Sequence, residues 1–245
     1  MTANLLPAWR RVLVVVAHPD DESFGLGAVL ASFVGSGCEV SVLCLTRGEA
    51  STLHGVAGDL AKIRGAELAG AARELGIGRV ELRDYPDGQL YDVPLTVLID
   101  EIATFAAGQR GDGILVFDPS GVTGHPDHRR ATEAALAFAQ IHGSPVLGWT
   151  LPSAVALALQ TEYGAPFLGH APADIDMVVS VDRATQKKAV ACHPSQAVPG
   201  HVLWRRLELL GPHEHLRWLH GDESQAVRDN DPALDRAHNH QERIS

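Results

Sequence analysis

The chain of 245 residues is long enough for one α/β domain with its own hydrophobic core. Its 20 basic and 30 acidic residues give a formal net charge of −10, which argues against nucleic acid or an anionic membrane surface as a partner. The three cysteines form no C-x-x-C pair, so we expect reduced cysteines in a cytoplasmic protein and no cysteine-based zinc site.

The start of the chain mimics a signal peptide, because two arginines precede a short apolar run at residues 11–17. Acids follow this run where small cleavage-site residues would be expected. No apolar stretch approaches the roughly 20 residues that a membrane helix requires. We therefore interpret the run as the first strand of a sheet and expect no membrane association.

Apolar, β-branched runs alternate with amphipathic segments along the chain. Strands are predicted at 11–17, 39–46, 79–85, 113–121, 145–151 and 175–182. Helices are predicted at 23–37, 59–77, 94–108, 125–143 and 183–193. This alternation predicts right-handed crossovers and a single Rossmann-like α/β domain, in which helices flank a mostly parallel twisted sheet.

Two regions lack a regular pattern. Residues 152–174 contain three prolines and form either an excursion over the active site or a surface connection. Residues 221–245 are rich in acids and arginines and poor in apolar residues. This composition predicts a poorly ordered polar tail after a domain that spans residues 1–220.

Two polar clusters stand where predicted strands end. The segment "HPDDE" (18–22) follows the first strand, and "HPDH" (125–128) follows the fourth. In the common strand order 3-2-1-4, the first and fourth strands are neighbours at the reversal of order, and ligands bind there, beyond the carboxyl ends of the strands. The two clusters would then face each other across one crevice.

A divalent cation would explain this concentration of acids, because buried ionised carboxylates are costly unless they are paired. His18 and Asp21 are close enough for one turn of chain to aim both at a single ion. A histidine of the second cluster would complete a three-ligand site that leaves a position for water, as catalytic zinc sites do. The ion would lower the pKa of that water towards about 7 and polarise a substrate carbonyl.

The remaining polar residues of the two clusters would supply acid–base chemistry. A spare carboxylate beside the ion is a natural general base, and Asp20 is placed for that role. A second histidine could stabilise an oxyanion or protonate a leaving amine. The spacing leaves open whether His125 or His128 is the ligand, and which acid of residues 20–22 is the base.

Other interpretations of these clusters explain less. Each segment alone could be a helix-capping turn, but both occur at strand-to-helix junctions of one α/β pattern. A nucleotide site at Gly25 and Gly27 lacks a third glycine, and the preceding acids would repel a pyrophosphate. A glycosidase with two carboxylates would leave the histidines unexplained.

The two clusters resemble the LmbE-like (PIG-L) family of zinc-dependent de-N-acetylases, whose pattern is H-P-D-D-E after the first strand and a later H-P-D-H. The similarity extends from about residue 11 to 200. Supporting segments are "LTRGEAS" (45–51), "KIRGAELAGAARELGI" (62–77), "YPDGQL" (85–90) and "HPSQ" (193–196).

The resemblance implies a role for each cluster residue. The metal ligands would be His18, Asp21 and His128. Asp20 would be the general base, His125 would face the oxyanion, and Asp127 would orient or tune His125. The ion would be Zn²⁺, although Fe²⁺ suits the same ligands.

The implied reaction is hydrolysis of an N-acetyl amide, usually on an N-acetylglucosamine unit, which yields acetate and a free amine. The partner would be a small N-acetylated amino sugar or its conjugate, and the chain could also associate with copies of itself as a homo-oligomer. One alternative is an amidase that removes a larger acyl group from a thiol-sugar conjugate or a natural product. Another is a non-catalytic sugar-binding relative, which would be expected to lose the base or a ligand.

Five further residues are candidates for substrate contact. Arg64 either lies near the sugar aglycone, as the resemblance implies, or is a surface arginine paired with Glu67. Asp87 either accepts hydrogen bonds from sugar hydroxyls or serves only the turn. The other candidates are Arg47 and Glu49, at the carboxyl end of the second strand, and His193, which otherwise is a helix-terminal histidine favoured by the helix dipole.

Overall fold

A computed structural model describes residues 5–53, 56–108 and 111–221. These residues form one seven-stranded sheet in the order β3-β2-β1-β4-β5-β7-β6. The strands are β1 Arg11–Val16, β2 Glu39–Thr46, β3 Arg79–Tyr85, β4 Gly113–Phe117, β5 Val146–Thr150, β6 Met177–Ser180 and β7 His213–His220. Strands β1 to β5 pair in parallel, whereas β7 is antiparallel to both β5 and β6.

Helices cover both faces of this sheet. They are α1 Asp21–Phe24, α2 Gly27–Gly35, α3 Leu60–Leu75, α4 Leu95–Ala106, α5 Pro126–His142, α6 Ser153–Tyr163, α7 Ala184–Ala191 and α8 Val202–Leu210. Helix α3 begins at the side-chain cap of Asp59 and ends at Gly76, whose φ is 73°. No helix among the described residues is both long and apolar enough to cross a membrane.

Strand β1 is buried on both faces, which explains its unbroken apolar sequence. Val12, Val14 and Val16 pack in one core cluster with α2 and α3. Leu13 and Val15 pack in a second cluster with α4 and α5. The carboxyl end of β1 is therefore held rigidly at the centre of the sheet, where the first polar cluster begins.

The predicted fold class and the order 3-2-1-4 are confirmed by the sheet. The single helix predicted at 23–37 is wrong, because α1 ends at Phe24 and α2 begins at Gly27. The break lies where the ring of Phe117 packs against the backbone: a Cβ at Gly25 would lie 2.6 Å from that ring. The resulting short turn α1 carries two of the acids of the first cluster.

The carboxyl-terminal part of the domain holds elements that the sequence pattern did not predict. Residues 153–163 form α6 instead of irregular chain, with Pro152 at its N-cap, where proline is tolerated. The segment after it, 165–167, lines the cavity described below, so this region does reach over the site. Helix α8 and strand β7 were not predicted, and the predicted tail lies outside the described residues except for Gly221.

Candidate active site

A cavity of about 500 Å³ opens at the carboxyl ends of β1 and β4. The sheet order makes these two strands neighbours, so the segments that follow them meet there. The turn after β1 brings His18, Asp20 and Asp21 to the cavity, and the start of α5 brings His125 and His128. The two polar clusters of the sequence therefore line one cavity.

His18, Asp21 and His128 are all buried, and each offers a ligand atom within 4.8 Å of the other two. The Nδ1 atom of His18 lies 3.1 Å from Nε2 of His128. That same His128 nitrogen lies 3.1 Å from Oδ1 of Asp21. Two imidazole nitrogens and one carboxylate oxygen thus converge on a single point.

The second nitrogen of each imidazole has its own partners, which assign the protons. Nδ1 of His128 lies 3.2 Å from the carbonyl oxygen of Gly121, to which it donates. Nε2 of His18 faces carboxylate oxygens of Asp87 at 3.0 Å and Asp127 at 3.4 Å. One nitrogen of each imidazole is therefore left facing the point of convergence, where it can ligate an ion when it carries no proton.

Asp21 is fixed by the backbone in the same way. Its Oδ2 accepts hydrogen bonds from the N–H groups of Ala17 at 3.1 Å and His18 at 2.9 Å, which leaves Oδ1 directed at His128. Three lone pairs facing one another repel unless a proton or a cation lies between them. The donor set suits a divalent metal ion, and the same three residues were predicted as its ligands.

The pKa shifts of His18 and Asp21 also indicate that positive charge is stabilised in this cluster. Burial acts to lower the pKa of His18, but Asp127, Asp87 and Asp21 outweigh it and raise that pKa to about 10. Burial acts to raise the pKa of Asp21, but His128 and His18 outweigh it and hold that pKa below its usual range. The carboxylates therefore stay ionised around a site where a cation is stabilised.

Asp20 lines the cavity beside the two ligand positions of the turn. Its φ of 149° is unusual for a residue with a side chain, and its N–H donates to Oε2 of Glu22 at 2.9 Å. Its Oδ2 lies 2.9 Å from Nη2 of Arg64. Burial raises the pKa of Asp20 to about 6, against the opposing effect of Arg64, which is a value suited to a general base near neutral pH.

His125 occupies the N-cap position of α5 and lines the cavity. Its Nδ1 accepts a hydrogen bond from the N–H of Asp127 at 3.2 Å, so the proton is on Nε2. Burial lowers the pKa of His125, and His18 and His128 lower it further. A neutral imidazole with a protonated Nε2 is a suitable donor to an oxyanion.

Asp127 has a different role in the structure from the one that the resemblance implied. Its carboxylate accepts hydrogen bonds from the N–H groups of Gly88 at 2.7 Å and Leu90 at 3.1 Å. The same carboxylate faces His18, and only the backbone N–H of Asp127 donates to His125. The Asp127 carboxylate thus lies against the His18 ring, in the position that outer carboxylates take beside metal-binding histidines.

The structure contradicts one of the two alternatives for Arg64, the surface pairing with Glu67. Its side chain is 4% exposed, pairs with Asp20 and donates to the carbonyl oxygens of Pro19 and Gly48. Glu67, its expected surface partner, instead accepts two hydrogen bonds from Ser195. The surface pairing is therefore wrong, and Arg64 lines the cavity as part of the support of Asp20.

The turn that carries Asp87 is attached to the loop after β2. The N–H of Asp87 donates to Oε1 of Glu49 at 3.0 Å, and Oδ2 of Asp87 accepts from the N–H of Ala50 at 2.9 Å. Asp87 lines the cavity, whereas Glu49 does not. Glu49 therefore positions the turn.

Arg47 and His193 lie away from the cavity lining. Arg47 forms an ion pair with Asp84 on β3. His193 is wholly buried, and its Nε2 lies 2.8 Å from Oε1 of Glu22. Since Glu22 accepts the N–H of Asp20, the position of His193 favours support of the base over contact with a substrate.

Several residues that line the cavity were not predicted. They are Phe24, Phe117, Phe167, His201, Val202 and Arg206. Most come from the carboxyl-terminal part of the domain or from aromatic positions that resemble ordinary core. The sequence carried no signal for Val202 and Arg206, because α8, which holds both, was not predicted.

The family model described as GlcNAc-PI de-N-acetylase (PIG-L) matches residues 13–139, which is more than half of the chain. The chain belongs to the PIG-L family. This membership confirms the resemblance drawn from the two motifs. The match covers most of β1, all of β2 to β4 and most of α5, and it includes both polar clusters.

Two curated relatives are named 1D-myo-inositol 2-acetamido-2-deoxy-alpha-D-glucopyranoside deacetylase. The one from Kineococcus radiotolerans is 33% identical over 60% of this chain and 50% of its own length. The one from Mycobacterium sp. strain KMS is 31% identical over 78% of this chain and 74% of its own length. This chain spans 50% to 61% of the length of three relatives with that name, from Kineococcus radiotolerans, Mycolicibacterium vanbaalenii and Streptomyces griseus.

A solved structure extends the comparison to the fold. The A40926 pseudoaglycone deacetylase Dbv21 has a TM-score of 0.65 and 21% sequence identity to this chain. The likeness covers 85% of this chain and 96% of that protein. The PIG-L chain therefore shares its fold over most of the described sheet and helices.

Proposed function

We propose that this PIG-L protein is a metal-dependent hydrolase that removes the acetyl group from an N-acetylglucosamine-type amino sugar or its conjugate. The observation that carries this proposal is the convergence of His18 Nδ1, Asp21 Oδ1 and His128 Nε2 at one end of a cavity. Asp20 and His125 line the same cavity. The names of the two curated relatives support the substrate class.

His18, Asp21 and His128 would hold the ion, and Zn²⁺ suits their two nitrogen donors and one oxygen donor, as does Fe²⁺. An ion held there would polarise the acyl carbonyl and make a water molecule more acidic. Asp127 would keep the His18 ring in its ligating tautomer. The free cysteines Cys38, Cys44 and Cys192 suit the reducing cytoplasm in which we expect the enzyme.

The chain's own residues would carry the proton transfers. Asp20 would take a proton from the attacking water and deliver it to the amine as the C–N bond breaks. Arg64 would hold the carboxylate of Asp20 in place through their 2.9 Å contact. His125 would donate its Nε2 proton in a hydrogen bond to the oxygen that gains charge. Asp87 would accept hydrogen bonds from sugar hydroxyls.

An acetate-release assay on a panel of N-acetylglucosamine conjugates tests this function. We expect turnover that is abolished by a chelator and restored by added zinc. Analogues with longer acyl groups belong in the same panel, because the apolar residues of the cavity favour an amidase for larger acyl groups as the second candidate. Cleavage of the longer amides alone would support that amidase, and no cleavage of any amide would contradict both functions.

A further inference from the structure

Two chemically different groups of side chains line the cavity. The first, which we call the polar half, is Ser51, Arg64 and Asp87, from α3 and the loops after β2 and β3. The second, which we call the apolar half, is Phe24, Phe117, Phe167 and Val202, from α1, β4, the segment after α6 and α8. Sugar hydroxyls suit the polar half. The apolar half would take a different part of the substrate or of the products.

Arg206 of α8 lines the cavity among these apolar residues and is only 6% exposed. One of its terminal nitrogens donates to the carbonyl oxygen of Phe24, and its guanidinium lies 5.1 Å from the ring centre of Trp149. Its Nε–H is buried and has no hydrogen-bond partner. A planar group with five donors therefore makes a single hydrogen bond within the described part of the chain.

Arg206 differs from the other buried arginines in the described ranges. Arg64 pairs with Asp20, and Arg183 pairs with Glu214. Arg206 has no described carboxylate within 4.0 Å. Glu214 is the acid whose charge acts on it most, but that acid is already engaged by Arg183 and by the indole N–H of Trp149 at 2.7 Å.

A buried guanidinium without a carboxylate partner is costly for the folded chain. Burial lowers the pKa of Arg206 to about 10, so the group remains charged at neutral pH. A ligand that brings negative charge into the apolar half would remove this cost. Among such ligands a carboxylate matches the planar fork of the guanidinium with two parallel hydrogen bonds.

We propose that Arg206 forms a carboxylate-binding position in the apolar half of the cavity. The proposal rests on the proposed function for the source of that carboxylate. The source is either a carboxylate on the substrate part that fills this half or the acetate that deacetylation releases. In the first case Arg206 determines substrate specificity, and in the second it holds a product.

Calorimetric binding to the zinc-loaded protein tests the proposal without turnover. The probes are a glucosamine glycoside with a carboxylate on its aglycone, its methyl ester, and sodium acetate. The variant is Arg206→Met, which keeps the length of the side chain. The matched control is Arg205→Met, because Arg205 is the neighbouring residue and pairs on the surface with Glu162.

We expect Arg206→Met to weaken binding of at least one carboxylate probe about tenfold or more, while the methyl ester binds as before. Loss confined to the glycoside identifies a substrate carboxylate, and loss confined to acetate identifies the product. Arg205→Met should bind all probes as the parent protein does. If the methionine variant does not fold, Arg206→Lys replaces it. Lysine keeps the positive charge but lacks the two parallel donors of the guanidinium, so we expect an intermediate loss of carboxylate binding.

Two results would overturn the proposal. One is unchanged binding of both carboxylate probes to Arg206→Met, which would mean that the ion alone binds them. The other is an equal loss for the acid and its ester, which would mean that Arg206 only supports the fold. Because these probes carry no acetyl amide, failure of the deacetylase assay would leave this test intact.

Discussion

His18 shows most clearly how single atoms define this site. One of its ring nitrogens is directed at His128, and the other faces the carboxylates of Asp87 and Asp127. The Nδ1 atom of a histidine held in this way faces Asp21 and His128. The outer carboxylates would therefore be as much a part of the proposed metal site as its ligands.

Replacing Asp127 with asparagine should weaken zinc binding, because the neutral amide removes the negative charge that Asp127 places beside the His18 ring. We expect a loss of about 10- to 100-fold in affinity, measured by competition with a chromophoric chelator. Asp92→Asn is the control, since Asp92 is exposed nearby and lies outside the cavity lining. Equal affinities for the two variants would remove Asp127 from the metal site.

Asp20 is expected to act on protons and not on the metal. The variant Asp20→Asn should retain bound zinc and lose about 10²- to 10⁴-fold in kcat, the usual contribution of a general base. Acetate release gives kcat, and elemental analysis of the same sample gives the zinc content. Full activity in this variant would mean that another group accepts the proton.

At the scale of elements, the carboxyl ends of neighbouring parallel strands bring distant segments together. Asp118, at the carboxyl end of β4, makes another such contact with distant parts of the chain, and this contact holds the segment that forms part of the apolar half of the cavity. Oδ2 of Asp118, just after β4, lies 2.8 Å from Nη1 of Arg217 on β7 and 3.1 Å from Nε2 of His170. Residues 165–167, just before His170, line the cavity.

Asp118→Asn should therefore weaken the attachment of segment 165–170, because the charged contacts of Asp118 with His170 and Arg217 are lost. The positions of Asp20 and His125 should not change. We expect KM for the amide substrate to rise several-fold while kcat changes little, because only the wall of the cavity is displaced. Steady-state kinetics separate the two parameters. A fall in kcat at unchanged KM would show that Asp118 acts on the chemistry and not on the wall.

The elements also show what could be predicted from the sequence. Strands β1 and β4 were predictable because unbroken apolar runs end in polar clusters, and the order 3-2-1-4 then placed those clusters together. The break between α1 and α2 depends on the contact of Gly25 with the Phe117 ring, which no local pattern reveals. Arg206 was missed for a similar reason, since its cavity position depends on the packing of α8.

Strand β7 illustrates how tertiary context overrides local pattern. Its sequence, HEHLRWLH, is too polar to predict a strand between two others. Glu214 is nevertheless fully buried, because Arg183 and Trp149 satisfy its carboxylate. Such a strand can be recognised only when its partners are known.

At the scale of the whole molecule, β7 also gives the fold a dependence on pH. Burial lowers the pKa of His215 to about 4 from its usual 6.5, and His213 and Arg183 add to this effect. Below pH 6.5 the unfolded chain binds a proton at this residue, but the folded chain binds it only near pH 4. The free energy of unfolding contributed by this residue therefore falls as the pH drops from 6.5 towards 4.

The variant His215→Gln should remove that part of the dependence. We expect its free energy of unfolding, from urea titrations at pH 7 and pH 5, to decrease less on acidification than that of the parent protein. Identical decreases in both proteins would show that His215 does not keep its lowered pKa in solution.

The whole account depends on one ion bound by two distant segments of the chain. Elemental analysis of the purified protein, its His128→Ala variant and a His142→Ala control from the other end of α5 tests this most directly. We predict about one zinc or iron ion per chain in the parent and the control, and almost none in His128→Ala. An unchanged metal content in His128→Ala would contradict the site.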